Sequence, residues 1–363
     1  MNAKENSDGI LPDGAIEAMI AAGEIDLAAP PDARQVQPAS LDLRLGETAY
    51  RVRASFLPGR DCAVERKLDR FKLHAFDITG GAVLETGCVY IVPLLESLAL
   101  PQEVAASANP KSSTGRLDVF TRVIADNGDA FDQIPAGYRG PLYLEISPRT
   151  FPVLVRTGSR LAQIRFRRGH ARLGDEELGR LQEKSFLSSD PRFFEGLVLS
   201  VDLAGGEDGL IGYRGKRHTG VIDVDRPDAY DVADFWEPLR PSDKAGLILD
   251  PDQFYILASR EAVHVPAETA AEMVPFDPLV GEFRVHYAGF FDPGFGDDTA
   301  GGRGSRAVLE VRSREVPFIL EHGQTVGRLV YERMAALPKA LYGAGLGSNY
   351  QGQALKLSKH FRV

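Results

Sequence analysis

Apolar residues in this chain fall mostly in short runs cut by glycine and proline. Residues 40–45 alternate, with Leu41, Leu43 and Leu45 on one face, the period-two signature of a strand. Residues 89–94, 141–146, 151–155 and 161–166 are short apolar runs, several with β-branched residues. They are punctuated by Pro58-Gly59, Gly80-Gly81, Gly87, Pro101, Pro135, Gly140, Pro148 and Gly158. Regular short strands with such turns predict a mainly β protein, a sandwich or barrel. One helix is predicted from Pro12 to Ala22, with Ile16, Met19 and Ile20 on one face and Gly23 as its stop. A shorter helical pattern falls around residues 175–183.

The pattern occurs twice. Tyr90-Ile91-Val92, Glu96 and Pro101 return as Tyr255-Ile256-Leu257, Glu261 and Pro266, each 165 positions later. At the same offset Leu144-Glu145-Ile146, Arg149, Pro152 and Gly158 return as Leu309-Glu310-Val311, Arg314, Pro317 and Gly323. A weaker echo sets Ser40-Leu41-Asp42-Leu43 against Ser200-Val201-Asp202-Leu203. Such periodicity predicts two tandem copies of one domain: residues 1–170, a charged linker over 171–197 that carries the short helix, and residues 198–363.

Composition narrows the function. A length of 363 residues favours two domains. The formal charge of −9 argues against a partner of duplex nucleic acid, which needs a basic surface. Cys62 and Cys88 form no disulfide framework or metal spacing. The N-terminus is polar, and no run reaches the ~18 apolar residues of a membrane helix, so no membrane association is expected and the cytoplasm is the expected location.

The candidate chemistry begins at Lys111-Ser112-Ser113-Thr114-Gly115-Arg116, which places two cations, three hydroxyls and a glycine in one short stretch. Cations, hydroxyls and backbone N–H groups suit polyphosphate oxygens, although a solvated turn would read the same. The second copy has Phe276-Asp277-Pro278-Leu279-Val280-Gly281 at the 165 offset, without those hydroxyls or cations. Glu145 lies in the apolar run Leu142-Tyr143-Leu144-Glu145. It could line a pocket as a general base or face water beside Tyr143 and Ser147, and Glu310 could be a second catalytic carboxylate or share a structural role. Gly137-Tyr138-Arg139-Gly140-Pro141 reads as a tight turn. The glycine-rich tail from Leu341 to Gln353 could hang free or fold over a base with its tyrosines and glutamines. No Pro-Cys-x-x-Cys accompanies a His-x-Glu, so the zinc route to nucleoside deamination is missing, and neither a P-loop nor a Gly-x-Ser-x-Gly elbow is present.

Taken in order, these segments resemble the dCTP deaminase family of the dUTPase-like superfamily. Gln37-Pro38-Ala39-Ser40-Leu41-Asp42-Leu43-Arg44-Leu45-Gly46 is similar to its opening signature, and Lys111–Leu117 to its phosphate and catalytic motif. Ala136–Glu145 is similar to the segment that ends in its catalytic glutamate, and Tyr350-Gln351-Gly352-Gln353 to its closing tail. The resemblance implies two distorted β-barrel domains with a few short helices and a homo-oligomer with trimer-like packing of domains. It implies hydrolytic, zinc-independent conversion of dCTP to dUTP and ammonia, which supplies dUTP for thymidylate synthesis. Glu145 would shuttle protons, and Ser112 and Arg116 would position water and stabilise the intermediate. Lys111, Ser113, Leu142, Tyr143, Leu144, Tyr342 and Gln353 would bind nucleotide. Mg²⁺ would ride on the triphosphate, with no zinc and no metal held by the protein. Two departures follow. The Ser/Arg motif sits in copy one and the tail in copy two, so each site is expected to draw on both and sites should be fewer than domains. Residues 126–133 form a longer, acidic stretch able to reshape the base pocket. The alternatives are a dUTP pyrophosphatase or bifunctional deaminase-pyrophosphatase, with Asp126 or Asp129 beside the water, or a non-catalytic nucleotide-binding regulator.

Overall fold

The computed structural model describes residues 8–206, 208–240, 246–275, 283–285, 289–297, 304–313, 315–343, 350 and 352–362. The chain divides into two compact units. Unit 1 comprises Met1–Ala171 with Gly220–Ala229 and Met334–Lys339; unit 2 comprises Arg172–Thr219, Tyr230–Arg333 and Ala340–Val363.

Unit 1 is built on two sheets. One runs in the order Gln133–Ile134, Val104–Pro110, Arg160–Arg168, Ser40–Arg44, Val36–Gln37; the other runs Val119–Ala125, Arg139–Pro148, Val89–Ala99, Thr48–Val52, Lys72–Asp77. The predicted strands are present, but their alternation does not separate core from water: Ser40 to Arg44 are all buried, as are Leu142 to Pro148. Both faces are covered, as in a closed barrel. The predicted helix forms over Asp13–Ala21, with Ile16 and Met19 buried.

Unit 2 repeats both strand orders, except that among the described residues no strand matches Val36–Gln37. Phe290–Phe291, Thr269–Pro275, Thr325–Arg333 and Leu197–Ser200 form one sheet, and Phe283–Val285, Ser305–Ser313, Tyr255–Val263, Gly212–Gly215 and Trp236–Leu239 the other. Four strand pairs match end for end at the offset of 165: Ala82–Leu84 with Leu247–Leu249, Val104–Pro110 with Thr269–Pro275, Val153–Val155 with Phe318–Leu320, and Arg160–Arg168 with Thr325–Arg333. The tandem, mainly β architecture expected from the repeat is the one observed.

The repeated glutamates mark a shared device. In unit 1 the pairing of Arg139–Pro148 with Val89–Ala99 shifts register between Pro141 and Tyr143, and in unit 2 the same irregularity falls between Ala258 and Ala262. Glu96 and Glu261 lie within these bulges, which re-aim a side chain. Glu96 Oε2 accepts the Arg44 backbone N–H (2.8 Å), and Oε1 accepts Arg44 Nε and Gln35 Nε2 (2.8 Å each). Burial pushes the Glu96 carboxyl upward, against the pull of Arg44. Glu261 accepts the Ser200 backbone N–H (2.8 Å) and hydroxyl (2.5 Å).

These bonds correct the weaker echo. Arg44 corresponds to Ser200, and Leu45 to Val201: Leu45 N–H donates to Ser159 O, and Val201 N–H to Gln324 O. The offset there is 156, so Ser40–Leu43 does not match Ser200–Leu203. Asp42 faces Gln163 in the ladder and Val198 faces Arg328, which makes Val198 its structural counterpart.

Residues 171–197, expected as a linker, are otherwise used. The helix Asp175–Lys184 is present, but its Leu178, with Leu187, belongs to the apolar core of unit 2. Charged residues dominate the segment and hide those two anchors. Two further segments join unit 1. Ile222-Asp223 pairs in parallel with Val153-Leu154, and Arg156 donates both terminal nitrogens to Asp223 (2.8 Å each). Farther along, Ala335 N–H donates to Ile10 O and Lys339 N–H to Asp13 Oδ1. Among the described residues no helix is long and apolar enough to cross a membrane.

Candidate active site

The strand Val104–Pro110 leads into Lys111, where the backbone turns into a single helical turn, Ser112–Gly115. Lys111 O closes the turn by accepting Thr114 N–H (2.8 Å) and Gly115 N–H (3.0 Å). Ser113, Thr114 and Arg116 are buried, whereas Lys111 and Ser112 remain half-buried. The Lys111 ammonium pairs with Asp42, and Arg160 Nη1 lies 3.6 Å from the same carboxylate oxygen. Two cations thus converge on one buried carboxylate at the mouth of the motif. Asp42 Oδ1 is buried and has no hydrogen-bond partner among the described residues.

The chain re-enters the sheet as Val119–Ala125 and returns as Arg139–Pro148 after residues 126–138. The intervening turn is set by Tyr138, whose hydroxyl donates to Pro141 O (2.6 Å) and accepts Asp126 N–H (3.1 Å). Gly140, at φ +153°, makes room: a Cβ there would lie 2.8 Å from that hydroxyl oxygen. Burial drives the Tyr138 phenol up to about 12.

Glu145 does not face water. It is 1% exposed, flanked in the ladder by Ile91 on one side and Arg122 on the other. On the same face lies a secondary apolar cluster of Val52, Val64, Leu68, Ile91, Ile124 and Tyr143, capped by the helix Val64–Phe71. Arg122 Nε donates to Glu145 Oε1 (2.9 Å), and Nη2 donates to the same oxygen (2.5 Å). Glu145 Oε2 is buried with no hydrogen-bond partner among the described residues. A buried carboxylate oxygen without a donor is costly unless a ligand or water meets it, so this oxygen marks the place where chemistry could occur.

Of the other predicted residues, Leu142 and Leu144 are fully buried in the core, which leaves their backbone rather than their side chains to meet a ligand. Tyr143 is buried in the secondary cluster, and its phenol is pushed up to about 12, chiefly by desolvation. Arg116 and Glu145 sit at different places along the sheet. Glu145 faces Arg122, whereas Val119, three residues after Arg116, faces Pro148, a separation of about 10 Å along the strand.

The tail does not hang free where it is described. Tyr342 packs against Phe295 (5.7 Å between ring centroids), and Gln353 O accepts Arg306 N–H (3.0 Å) while its Nε2 donates to Arg306 O (3.1 Å). Phe361 anchors the end among Tyr230, Phe235 and Trp236. Glu310 is 4% exposed and faces Ile256, as Glu145 faces Ile91. Residues 276–281, the second copy's counterpart of the Ser/Arg motif, lie outside the described residues, as does Gln351.

Sequence reasoning missed Arg122, Ser55 and Phe131 altogether, and gave Asp42 and Arg160 no role. Arg122 and Glu145 are cross-strand neighbours, a relation that only the register reveals. Among the described residues no group of three or more His, Cys, Asp or Glu side chains could hold a metal ion.

A mainly β domain with a buried, half-engaged carboxylate and a cation-hydroxyl turn leading into the same sheet suits a nucleotide-processing class of protein. Comparison with known proteins narrows the class. Residues 7–170 match the model of the 2'-deoxycytidine 5'-triphosphate deaminase (DCD) N-terminal domain, and residues 174–361 that of the DCD C-terminal domain. The chain belongs to the dCTP deaminase family, and the dUTPase-like β fold of its two units is that family's. A solved structure of 2'-deoxycytidine 5'-triphosphate deaminase from Agrobacterium tumefaciens is 68% identical, with a TM-score of 0.88, covering 91% of this chain and 100% of that one. The dUMP-forming dCTP deaminase of Parafrankia sp. is 34% identical over 160 residues, 43% of this chain and 74% of its own. That of Coprothermobacter proteolyticus is 28% identical over 158 residues, 43% of this chain and 81% of its own.

Proposed function

We propose that this protein hydrolyses dCTP to dUTP and ammonia, with Glu145 as the proton shuttle. The observation that carries the reading is the geometry of Glu145: a buried carboxylate with one oxygen gripped by Arg122 and the other unengaged. Oε2 takes a proton from water as the oxygen attacks C4 of cytosine, and returns it to N3. The hydroxyl proton of the tetrahedral intermediate then passes by the same oxygen to N4. The C4–N4 bond breaks, ammonia leaves, and C4 keeps the carbonyl of uracil. Such proton transfer is worth roughly 10²–10⁴ in rate.

Ser112 and Arg116 are assigned to the water and the developing charge, and Lys111 and Ser113 to phosphate. Tyr342 and Gln353 are assigned to the nucleotide from the second copy. Mg²⁺ would enter with the triphosphate, where it would offset phosphate charge. The assembly is a homo-oligomer with trimer-like packing of domains, working on the cytoplasmic nucleotide pool.

For the product, dUTP is preferred over dUMP because the two candidate aspartates for phosphorus chemistry are employed elsewhere. Asp126 Oδ1 accepts Val64 N–H (2.7 Å) at the start of the helix Val64–Phe71, and the exposed Asp129 pairs with Arg60 (3.2 Å). The test is product analysis of the purified protein with dCTP and Mg²⁺. Ammonia and dUTP in equal amounts are expected; pyrophosphate with dUMP would replace the product assignment, and no ammonia would sink the deaminase reading.

A further inference from the structure

We infer that Arg122 is the positioning residue of the deamination centre. It fixes Glu145 so that Oε2 is the oxygen that exchanges protons, and residues 126–133 serve to lock Arg122 in place. The inference rests on the proposed role of Glu145.

The contrast with Glu96 carries it. Both carboxylates are buried beside an arginine. Glu96 has both oxygens satisfied, as a structural ion pair should. Arg122 instead directs two donors at Oε1 alone and leaves Oε2 open. Rotating the carboxylate to exchange its oxygens would break two charge-assisted hydrogen bonds, so the two oxygens hold distinct roles.

Arg122 is itself held from three sides. Nη2 also donates to Ser55 Oγ (2.7 Å). The guanidinium lies 3.5 Å from the Phe131 ring centroid and 4.8 Å from that of Phe120. Aromatic faces attract such a cation and fix its plane. Phe131 is placed by its neighbour: Asp132 Oδ1 accepts Val123 N–H (2.7 Å), and Asp132 N–H donates to Val123 O (2.9 Å). The acidic stretch that looked like a loop able to reshape the base pocket is thereby stapled beside Arg122 and delivers a ring onto it.

The experiment measures ammonia release from dCTP for the wild type, Arg122→Lys, Arg122→Met, Phe131→Leu and Glu145→Gln, together with melting temperature and dCTP affinity. For Arg122→Met, kcat should fall roughly a hundredfold, the cost of a misplaced catalytic group. KM and dCTP affinity should stay within about threefold. Arg122→Lys, which retains the charge but not the fork, should recover to within roughly tenfold of the wild type. A kcat within about threefold of wild type in folded Arg122→Met overturns the inference, as does a loss matched by an equal loss of dCTP affinity. If Arg122→Met does not fold, unchanged kcat in both Arg122→Lys and Phe131→Leu overturns it. A wild type that releases no ammonia, or a Glu145→Gln variant that still does, sinks the proposed function itself and is distinguishable from failure at Arg122 alone.

Discussion

In unit 1, Asp42 of the strand Ser40–Arg44 pairs with Lys111 and Arg160; at the matching rung of unit 2 stands Val198. Two residues farther on, the same strands agree: Arg44 and Ser200 each give a backbone N–H to a buried glutamate, Glu96 or Glu261. Neighbouring positions have therefore had different fates. The bulge and its glutamate close the sheet in both units and are needed wherever the fold is. Asp42 faces two cations, Lys111 and Arg160, whose places at the 165 offset hold Phe276 and Thr325, and without them a buried carboxylate there would be an uncompensated charge. What both copies share reports on scaffold, and what one copy has alone reports on chemistry.

Glu145 and Glu310 are the exception to that rule and the pair to separate first, because both are buried and each faces an isoleucine, yet the proposed chemistry uses Glu145 alone. Glu145→Gln should lower kcat for ammonia release by roughly 10²–10⁴-fold, while Glu310→Gln should stay within about twofold. Equal losses in steady-state assays would break the assignment of chemistry to unit 1.

The glutamate clamps come next. Arg44→Met strands a fully buried carboxylate and should cost about 3–5 kcal/mol, read as a large fall in melting temperature. Arg192, which reaches Glu261 from a half-exposed position (3.2 Å), should cost about 1 kcal/mol or less when changed to Met. Similar losses in thermal melts would contradict this difference and show the two clamps to be energetically alike. Asp42→Asn should follow, weakening dCTP binding by about tenfold through the loosened Lys111, with kcat changed much less; unchanged affinity in a titration would remove Asp42 from the phosphate site.

The smallest expected effect concerns Asp223 in unit 1. The Arg156 hydrogen bonds hold its carboxyl below the ordinary value of 3.8. Its stabilisation is present above that ordinary value and is lost as pH falls through the lower, folded-state one. Asp223→Asn should therefore melt a few degrees lower at pH 7, and the difference should shrink as the pH drops below about 3.8. A difference that persists or grows in acid would contradict the assignment.

Much of this architecture is legible in the chain because strand runs and the 165-residue repeat are local or periodic signals. Ser40-Leu41-Asp42-Leu43 misled because its match to residues 200–203 is one of letters, whereas the hydrogen bonds set by Glu96 and Glu261 impose another alignment. The 171–197 stretch misled because the charges of the helix Asp175–Lys184 outweigh the buried Leu178 on it and Leu187 just after it. Arg122 was invisible for a different reason: its importance comes from a cross-strand neighbour, and a long connection of uncertain register separates the two. The insertion of residues 220–229 beside Val153–Val155 is a long-range choice, made by the Arg156–Asp223 fork.

The central claim is that the proposed deamination centre occurs once per chain, on unit 1. Calorimetric titration of the Glu145→Gln protein with dCTP and Mg²⁺ tests it most directly, since turnover is silenced while the binding groups remain. Expected is a single class of sites filling at one dCTP per chain, with Lys111→Met in the same background weakening that class. Two dCTP per chain, or a site that survives Lys111→Met unchanged, would contradict the claim.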